Sequence, residues 1–429
     1  MLTAQSVGNP RDATICSPVR ESDNNTLVRM NVEAQRDDTT IPNGPTPPSR
    51  PTLAQLALIF LRIGATGFGG GMAVFSLIER EMRARKWVDE EKLFEAFAIG
   101  QSLPGASAVN TAAFLSMRLC GWPGAALATF TLVLPSFLLM LAAAFFYPSF
   151  RSLPRMDAVF EGLNAAVVGI ILALTLNLGQ RAIKSTWNFT LAALSCMVLV
   201  LSGTAAIEVV LVAGLIGIFT DSFREGRGRL HGRKKPPSSV LCLLPLTVIL
   251  AAGYGVLWEI ARVFLTTGAI TFGGGFVMIP LLEHEVVNHA GWLSHQQFAD
   301  AMALGQITPG PVVITATFIG YSAAGLPGAV IATLSIFLPP FLIASSAARY
   351  LEQFRANRQV NAFLKGLAPA VLGMLLAAAI SLGRAGIAGP VGLVIAGLSC
   401  AAIFWLRPNP AWVVFVAGMV RLSLAALGL

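Results

Sequence analysis

The sequence predicts an all-α polytopic membrane protein built from two homologous repeats whose helices are broken by glycine and proline. Three observations carry this. Hydrophobic residues make up 55% of the 429 positions and charged residues 12%, with a mean hydropathy of +0.69, whereas soluble domains carry roughly 25% charged residues. The run at 64–81, GATGFGGGMAVFSLIERE, returns at 268–285 as GAITFGGGFVMIPLLEHE. Glycine and proline recur inside apolar stretches at matching positions of both copies, where they interrupt a helix.

Taken in order, residues 1–52 are polar, end in a proline-rich run and lack the apolar core of a signal peptide. They read as an N-terminal cytoplasmic tail. Residues 53–225 form the first repeat, 226–257 a basic linker with a connecting helix, and 258–429 the second repeat. Runs such as 130–147, 165–178, 191–201 and 209–220 are almost free of charge. With about 20 apolar residues needed per crossing, the chain holds about 10–13 apolar segments.

The formal net charge is +8, and much of it sits in Arg224, Arg227, Arg229, Arg233, Lys234 and Lys235, between hydrophobic segments. Such a loop stays cytoplasmic by the positive-inside rule and can meet anionic lipid headgroups of the bilayer. It forms no folded basic domain, so no nucleic acid is expected as a partner. The five cysteines make no CxxC pair, which leaves neither disulfides nor zinc implied. His284, His289 and His295 are spaced by five and six, a pattern that does not face a metal on one helix side. No catalytic triad or nucleotide-binding loop is present. The chain therefore reads as no enzyme, without cofactor or metal, drawing on an ion gradient or the membrane potential.

The repeat extends well beyond its first motif. Gly64, Ala65, Phe68, Gly69, Gly70, Gly71, Leu77, Glu79 and Glu81 all recur 204 residues later. Ala98-x-Gly100-Gln101-x-x-Pro104-Gly105 matches Ala303-x-Gly305-Gln306-x-x-Pro309-Gly310, and Gly121-x-Pro123-Gly124-Ala125 matches Gly325-x-Pro327-Gly328-Ala329. Transporters built from such repeats place the substrate near mid-membrane, where broken helices of the two halves meet. The loop after the first glycine motif carries Arg80, Arg83, Arg85, Lys86 and Lys92, while its counterpart, 284–297, carries no Lys or Arg. Opposite charge character points to inverted repeats. The loops at 80–92 and 221–239 both look cytoplasmic, yet five apolar segments separate them. That count closes if the GFGGG and GQxxPG segments are broken hairpins that do not cross, since irregular backbone is tolerated where it lines a cavity or is buried.

Substrate contact is expected at these breaks. Gly69, Gly70 and Gly71, with Gly273, Gly274 and Gly275, free the backbone to present N–H groups to an anion; close helix packing is the competing use. Gln101 and Gln306 place amides beside the helix-breaking pairs Pro104-Gly105 and Pro309-Gly310, and Asn110 and Thr315 follow downstream. Amides and hydroxyls edging a broken helix can replace the hydration shell of a small oxyanion, and polar groups at membrane depth are functional by default. Electrostatic or coupling candidates are Arg62 and Arg262 ahead of the glycine motifs, Glu79 and Glu283 after them, and Glu161, which aligns with Lys365.

At these residues the chain resembles the chromate transporter family in its long, two-domain form. The carrying motifs are Phe68-Gly69-Gly70-Gly71 with Glu79 and Glu81, Gly100-Gln101-Ser102-Leu103-Pro104-Gly105, Gly121-Trp122-Pro123-Gly124, and their second-half counterparts, over the chain from Leu53 onward. The resemblance implies a multi-pass inner-membrane protein that exports the chromate anion and confers resistance. Short members of the family carry one copy and act in pairs; a homodimer of this longer chain is left open. Rival readings are a carrier of sulfate or another tetrahedral oxyanion, for which sulfate competition would be diagnostic, and, more distantly, a membrane-embedded enzyme. The latter needs acidic metal-binding clusters at a membrane face.

Overall fold

The computed structural model describes residues 51–183, 185–202, 206–225, 255–271, 275–349, 358–387 and 389–428. The expected tail, the basic loop and most of the connecting helix lie outside the described residues. The elements among the described residues are all helical, with no strand. The first repeat holds α1 (Leu53–Thr66), α2 (Gly71–Ala84), α3 (Glu90–Ser102), α4 (Ser107–Arg151), α5 (Met156–Ala182), α6 (Thr186–Ser202) and α7 (Ala206–Glu225). The second holds α8 (Val256–Ile270), α9 (Met278–Glu283), α10 (His295–Ile307), α11 (Thr315–Arg349), α12 (Arg358–Gly386), α13 (Gly389–Ala401) and α14 (Pro410–Ala426). The order matches element for element.

α4 and α11 are not single rods. Each folds back at a glycine with positive φ, Gly121 (φ 67°) and Gly325 (φ 63°). The arms of α11 touch through Thr317 and Thr333, whose hydroxyls are 2.7 Å apart. They also touch at Gly320 and Gly328, where a Cβ on Gly320 would sit 2.4 Å from the Gly328 carbonyl oxygen. In α4 the arm 107–120 is about 21 Å long and the arm 122–151 about 45 Å, at 1.5 Å per residue. Only the second arm can cross a bilayer.

Neighbour contacts set the depth of the other pieces. The Cys120 thiol donates to the Pro51 carbonyl (3.3 Å), and a Cβ on Gly64 would sit 2.2 Å from the Leu132 carbonyl oxygen. α1 therefore starts at the Gly121 turn, termed the near end, and runs inward beside the long arm. α2 returns to the near end, where Arg83 bridges Glu79 of its own helix and Glu90 of α3. α3 runs antiparallel to the short arm of α4, with Glu95 beside Arg118 (3.4 Å) and Gly100 against Thr111. Both broken segments enter and leave on one side. In the first repeat each broken segment therefore folds back on itself at its break, as the segment count expects of a hairpin. The long arm of α4 and α5 are each long and apolar enough to cross a bilayer, and α6 and α7 follow as shorter apolar helices.

The repeats are inverted. Trp122 packs edge-on against Phe341 (6.0 Å), while Phe145 and Tyr147 at the other end reach Tyr321 (6.5 Å) and Phe318 (5.1 Å). The long arms of α4 and α11 thus run antiparallel. The repeats also exchange their last two helices. α6 and α7 pack on α12, and α13 and α14 pack on α5. Glycines admit the close approach: a Cβ on Gly373 would lie 2.1 Å from the Ala192 carbonyl oxygen, and one on Gly169 2.3 Å from that of Ala396, the small-residue packing expected where lipid offers no hydrophobic drive. Large apolar side chains such as Leu138, Phe145, Leu334, Leu398 and Trp412 point outward, as a lipid-facing surface requires.

Candidate functional site

The glycine breaks and the Pro-Gly turns interlock at half depth. The Gly105 amide donates to the Thr271 carbonyl (2.5 Å), and the Gly310 amide donates to the Gly67 carbonyl (2.8 Å). Gly105 and Gly310 are equivalent, as are Gly67 and Thr271, so each turn is held by the other repeat's break. Both turn glycines sit near φ +100°. A Cβ there would strike Pro340 Cβ at 2.3 Å or Ser136 Oγ at 2.1 Å. Pro340 and Ser136 are themselves equivalent, and the Ser136 hydroxyl also donates to the Pro309 carbonyl (2.6 Å). The backbone is symmetric and the chemistry is not.

Two helix starts meet beside this lock. α2 begins at Gly71 after Gly70 (φ 79°), and α4 begins at Ser107 after Ala106, neither with a side-chain cap. A Cβ on Gly71 would sit 2.5 Å from Ser107 Oγ and 4.0 Å from the Ala108 nitrogen. The orphan N–H groups of both first turns, with the positive ends of two helix dipoles, therefore lie side by side, Ser107 buried and Gly71 half-buried. In the second repeat a Cβ on Gly275 would lie 3.0 Å from Val313 Cγ2, in the short turn Val312–Ile314 that leads into α11. Gly273 and Gly274 lie outside the described residues.

The side-chain candidates divide. Gln306 is buried, and its Nε2 has no partner among the described residues; Gln101 is exposed, with Nε2 3.7 Å from Met72 Sδ. Asn110 is fully buried and spends its Nδ2 on the carbonyls of Gly100 (3.1 Å), Leu103 (3.4 Å) and Pro104 (2.8 Å). It closes the broken end of α3, so its amide holds the turn. The Thr315 hydroxyl donates back to Val312 (3.0 Å). Pro104 and Pro309 are buried in the turns.

The charged candidates do not converge on this centre. Arg62 and Arg262 are exposed. Glu79 pairs with Arg83 (2.9 Å), while its equivalent Glu283 is buried against His295 (3.1 Å) and accepts from Ser381 (2.5 Å). Glu161 pairs with Arg421 (2.9 Å), joining α5 to α14. The side chain of Lys365 lies outside those described. Among the described residues no group of His, Cys, Asp and Glu could hold a metal.

Two features escape a reading of the sequence alone. Asn409, at the start of α14, donates from Nδ2 to the Phe68 carbonyl (2.9 Å), and its Oδ1 would lie 2.5 Å from a Cβ on Gly69. An Asn before Pro in an apolar run is a helix-start signal, but nothing local shows that the start abuts the other repeat. Asp300, fully buried, accepts from Tyr147 (2.6 Å), Asn164 (2.7 Å) and Gln296 (3.3 Å) and pairs with Arg151 (3.2 Å). Its detectable signal is an acid at the same place in both copies, Glu95 and Asp300.

Comparison with known proteins agrees with this duplicated architecture. The family model described as "Chromate transporter" matches twice, at residues 54–218 and 258–422. A probable chromate transport protein of Synechococcus elongatus is 34% identical over 339 residues, covering 78% of this chain and 85% of the relative. A chromate transport protein of Cupriavidus metallidurans is 34% identical over 341 residues, 78% and 83% of the two chains. An uncharacterized transporter of Bacillus subtilis is 32% identical over 159 residues, 36% of this chain but 89% of its own length, so it spans one repeat. No solved structure matches.

Proposed function

The chain belongs to the chromate transporter family, and from that premise we propose that it is a secondary carrier exporting chromate from the cytoplasm across the inner membrane, which would confer chromate resistance. The observation that carries the substrate class is the pair of uncapped helix starts, α2 and α4, side by side at the interlocked breaks. Half-helix N-termini at mid-membrane suit an anionic substrate, and oriented N–H groups bind an oxyanion without a counter-charge. The exposed positions of Arg62 and Arg262 fit this reading, since backbone donors carry the site.

Outward movement is favoured energetically. Moving one charge through 100 mV is worth about 2.3 kcal/mol, so a dianion leaving an inside-negative cell gains about 4.6 kcal/mol. The near end, with Arg83, Arg85, Lys86 and Lys92, is assigned to the cytoplasm by the positive-inside rule. Sulfate has the same charge and shape and is the natural competitor. The test is chromate uptake into everted vesicles with and without sulfate. Saturable uptake driven by an inside-positive potential is expected; vesicles bearing the protein that accumulate no more chromate than empty ones would overturn the assignment.

A further inference from the structure

Asn409 stands just ahead of α14, the last helix of the second repeat, yet its side chain meets the first repeat's glycine break. Its Oδ1 accepts from the Ala411 amide (3.0 Å), which caps α14. That bond turns Nδ2 the other way, where it donates to the Phe68 carbonyl (2.9 Å). The helix behind it is firmly seated. Arg421 of α14 pairs with Glu161 of α5 (2.9 Å), and a Cβ on Gly162 of α5 would lie 2.5 Å from the Ala417 carbonyl oxygen. The equivalent helix of the first repeat is α7, and the residue ahead of it is Ala205, which has no side-chain donor.

The tie acts on a run of free amides. A helix continued backwards from α2 would pair the Gly71 and Met72 amides with the carbonyls four residues earlier, those of Gly67 and Phe68. Both carbonyls are taken by the second repeat, Gly67 by the Gly310 amide and Phe68 by Asn409. The amides of Gly69, Gly70, Gly71, Met72 and Ala73 have no partner among the described residues. Glycine adopts positive and negative φ about equally, so nothing within the triplet selects the positive φ found at Gly69 and Gly70. The bonds that hold it come from outside, and Asn409 supplies the one on the peptide between Phe68 and Gly69.

We propose that Asn409 is a positioning residue of the anion site, contributed by the second repeat, and that it orders the glycine amides before the substrate arrives. The proposal rests on the carrier reading. Because the peptide is planar and trans, fixing the Phe68 carbonyl also fixes the Gly69 N–H, which points the opposite way. A site already ordered binds without the cost of ordering, and apparent affinity scales with the fraction of molecules that hold the competent arrangement. Loss of the tie therefore weakens substrate binding, while α14 and its packing stay as they are wherever the cap is kept. Asn409 acts through the backbone and does not itself touch the anion.

The test separates the tie from the cap. Asn409→Ser keeps a capping oxygen but is too short to reach Phe68, and Asn409→Asp keeps size and cap but can only accept. Initial rates of chromate uptake into everted vesicles give KM and the maximal rate, and melting in detergent gives stability. Asn409→Ser should melt near the native protein and raise the chromate KM about five-fold, with the maximal rate within about two-fold of native. Asn409→Asp should raise KM further, since its charge also repels a dianion. Asn409→Ala, lacking both bonds, should in addition melt at a lower temperature. A purely capping role would leave Asn409→Ser and Asn409→Asp with native KM and disturb Asn409→Ala alone, and that result would overturn the proposal. Native uptake with an unchanged Asn409→Ser KM counts against the positioning role only, whereas no uptake by the native protein overturns the carrier reading and this proposal together.

Discussion

The Gly310 amide donates to the Gly67 carbonyl at 2.8 Å, and Gly105 repeats the bond to Thr271 at 2.5 Å. Each repeat thus completes part of the other's broken backbone, since one amide from each Pro-Gly turn is paired across the pseudo-twofold axis, as a membrane interior favours. A single repeat leaves both sets open.

The turn glycines are therefore irreplaceable for two reasons. Gly310→Ala combines a left-handed backbone, costing about 1–2 kcal/mol, with a Cβ 2.1 Å from Ser136 Oγ, where overpacking adds about 1–3 kcal/mol. Melting in detergent should fall sharply and transport should be lost. Adding Ser136→Gly should restore part of the stability. Gly70→Ala, with φ 79° but nothing within 4 Å, should carry the backbone cost alone.

Asn110→Ala should destabilise without a selective effect on substrate. It strips the shared donor from three buried carbonyls, a loss of about 1–3 kcal/mol. Thermal melting would fall while the chromate KM of surviving protein stays near native; a raised KM at unchanged stability would place Asn110 in direct contact with the anion.

Gln306→Leu should do the reverse. Its Nε2 is a buried donor without a partner among the described residues, so removing it relieves a desolvation cost. Melting should hold or rise, and chromate KM should increase by about ten-fold, the equivalent of about 1.4 kcal/mol.

Ser107→Asp probes the paired helix starts. A carboxylate in the first turn of α4 favours the helix through its dipole but occupies the place offered to a dianion. Chromate transport should be lost, whereas Ser107→Asn, of the same size but uncharged, should retain it at comparable yield.

Topology is testable by labelling. Lys86→Cys and Gly291→Cys lie in equivalent loops at opposite ends of the inverted repeats, so an impermeant thiol reagent should reach them from opposite faces. Labelling of both from one face would overturn the inversion.

Much of the architecture is legible in the chain's own pattern. The ungapped recurrence of GFGGG and of GQxxPG reveals the duplication, and the divergence in loop charge reveals its inversion, because both are local properties of the chain. The broken hairpins follow from counting segments between two basic loops. The site is legible only in part. Gln101 and Gln306 are the same letter in the same motif, yet one is exposed and the other buried, since the surrounding repeat differs. Arg62 and Arg262 precede the glycine motifs in sequence but are exposed on α1 and α8. Asp300 reads as one acid in a semi-polar helix start, because its four partners come from three different helices.

By itself, then, the sequence determined that this is a duplicated membrane protein with helices broken at defined places, since hydropathy, repetition and glycine-proline chemistry act within a few residues. Only the tertiary structure decided what the breaks accomplish. The reciprocal Gly105–Thr271 and Gly310–Gly67 bonds, the exchanged helix pairs and the burial of Asp300 all join residues far apart in the chain. Such pairings depend on which surfaces the two inverted copies bring together, and no local pattern records that.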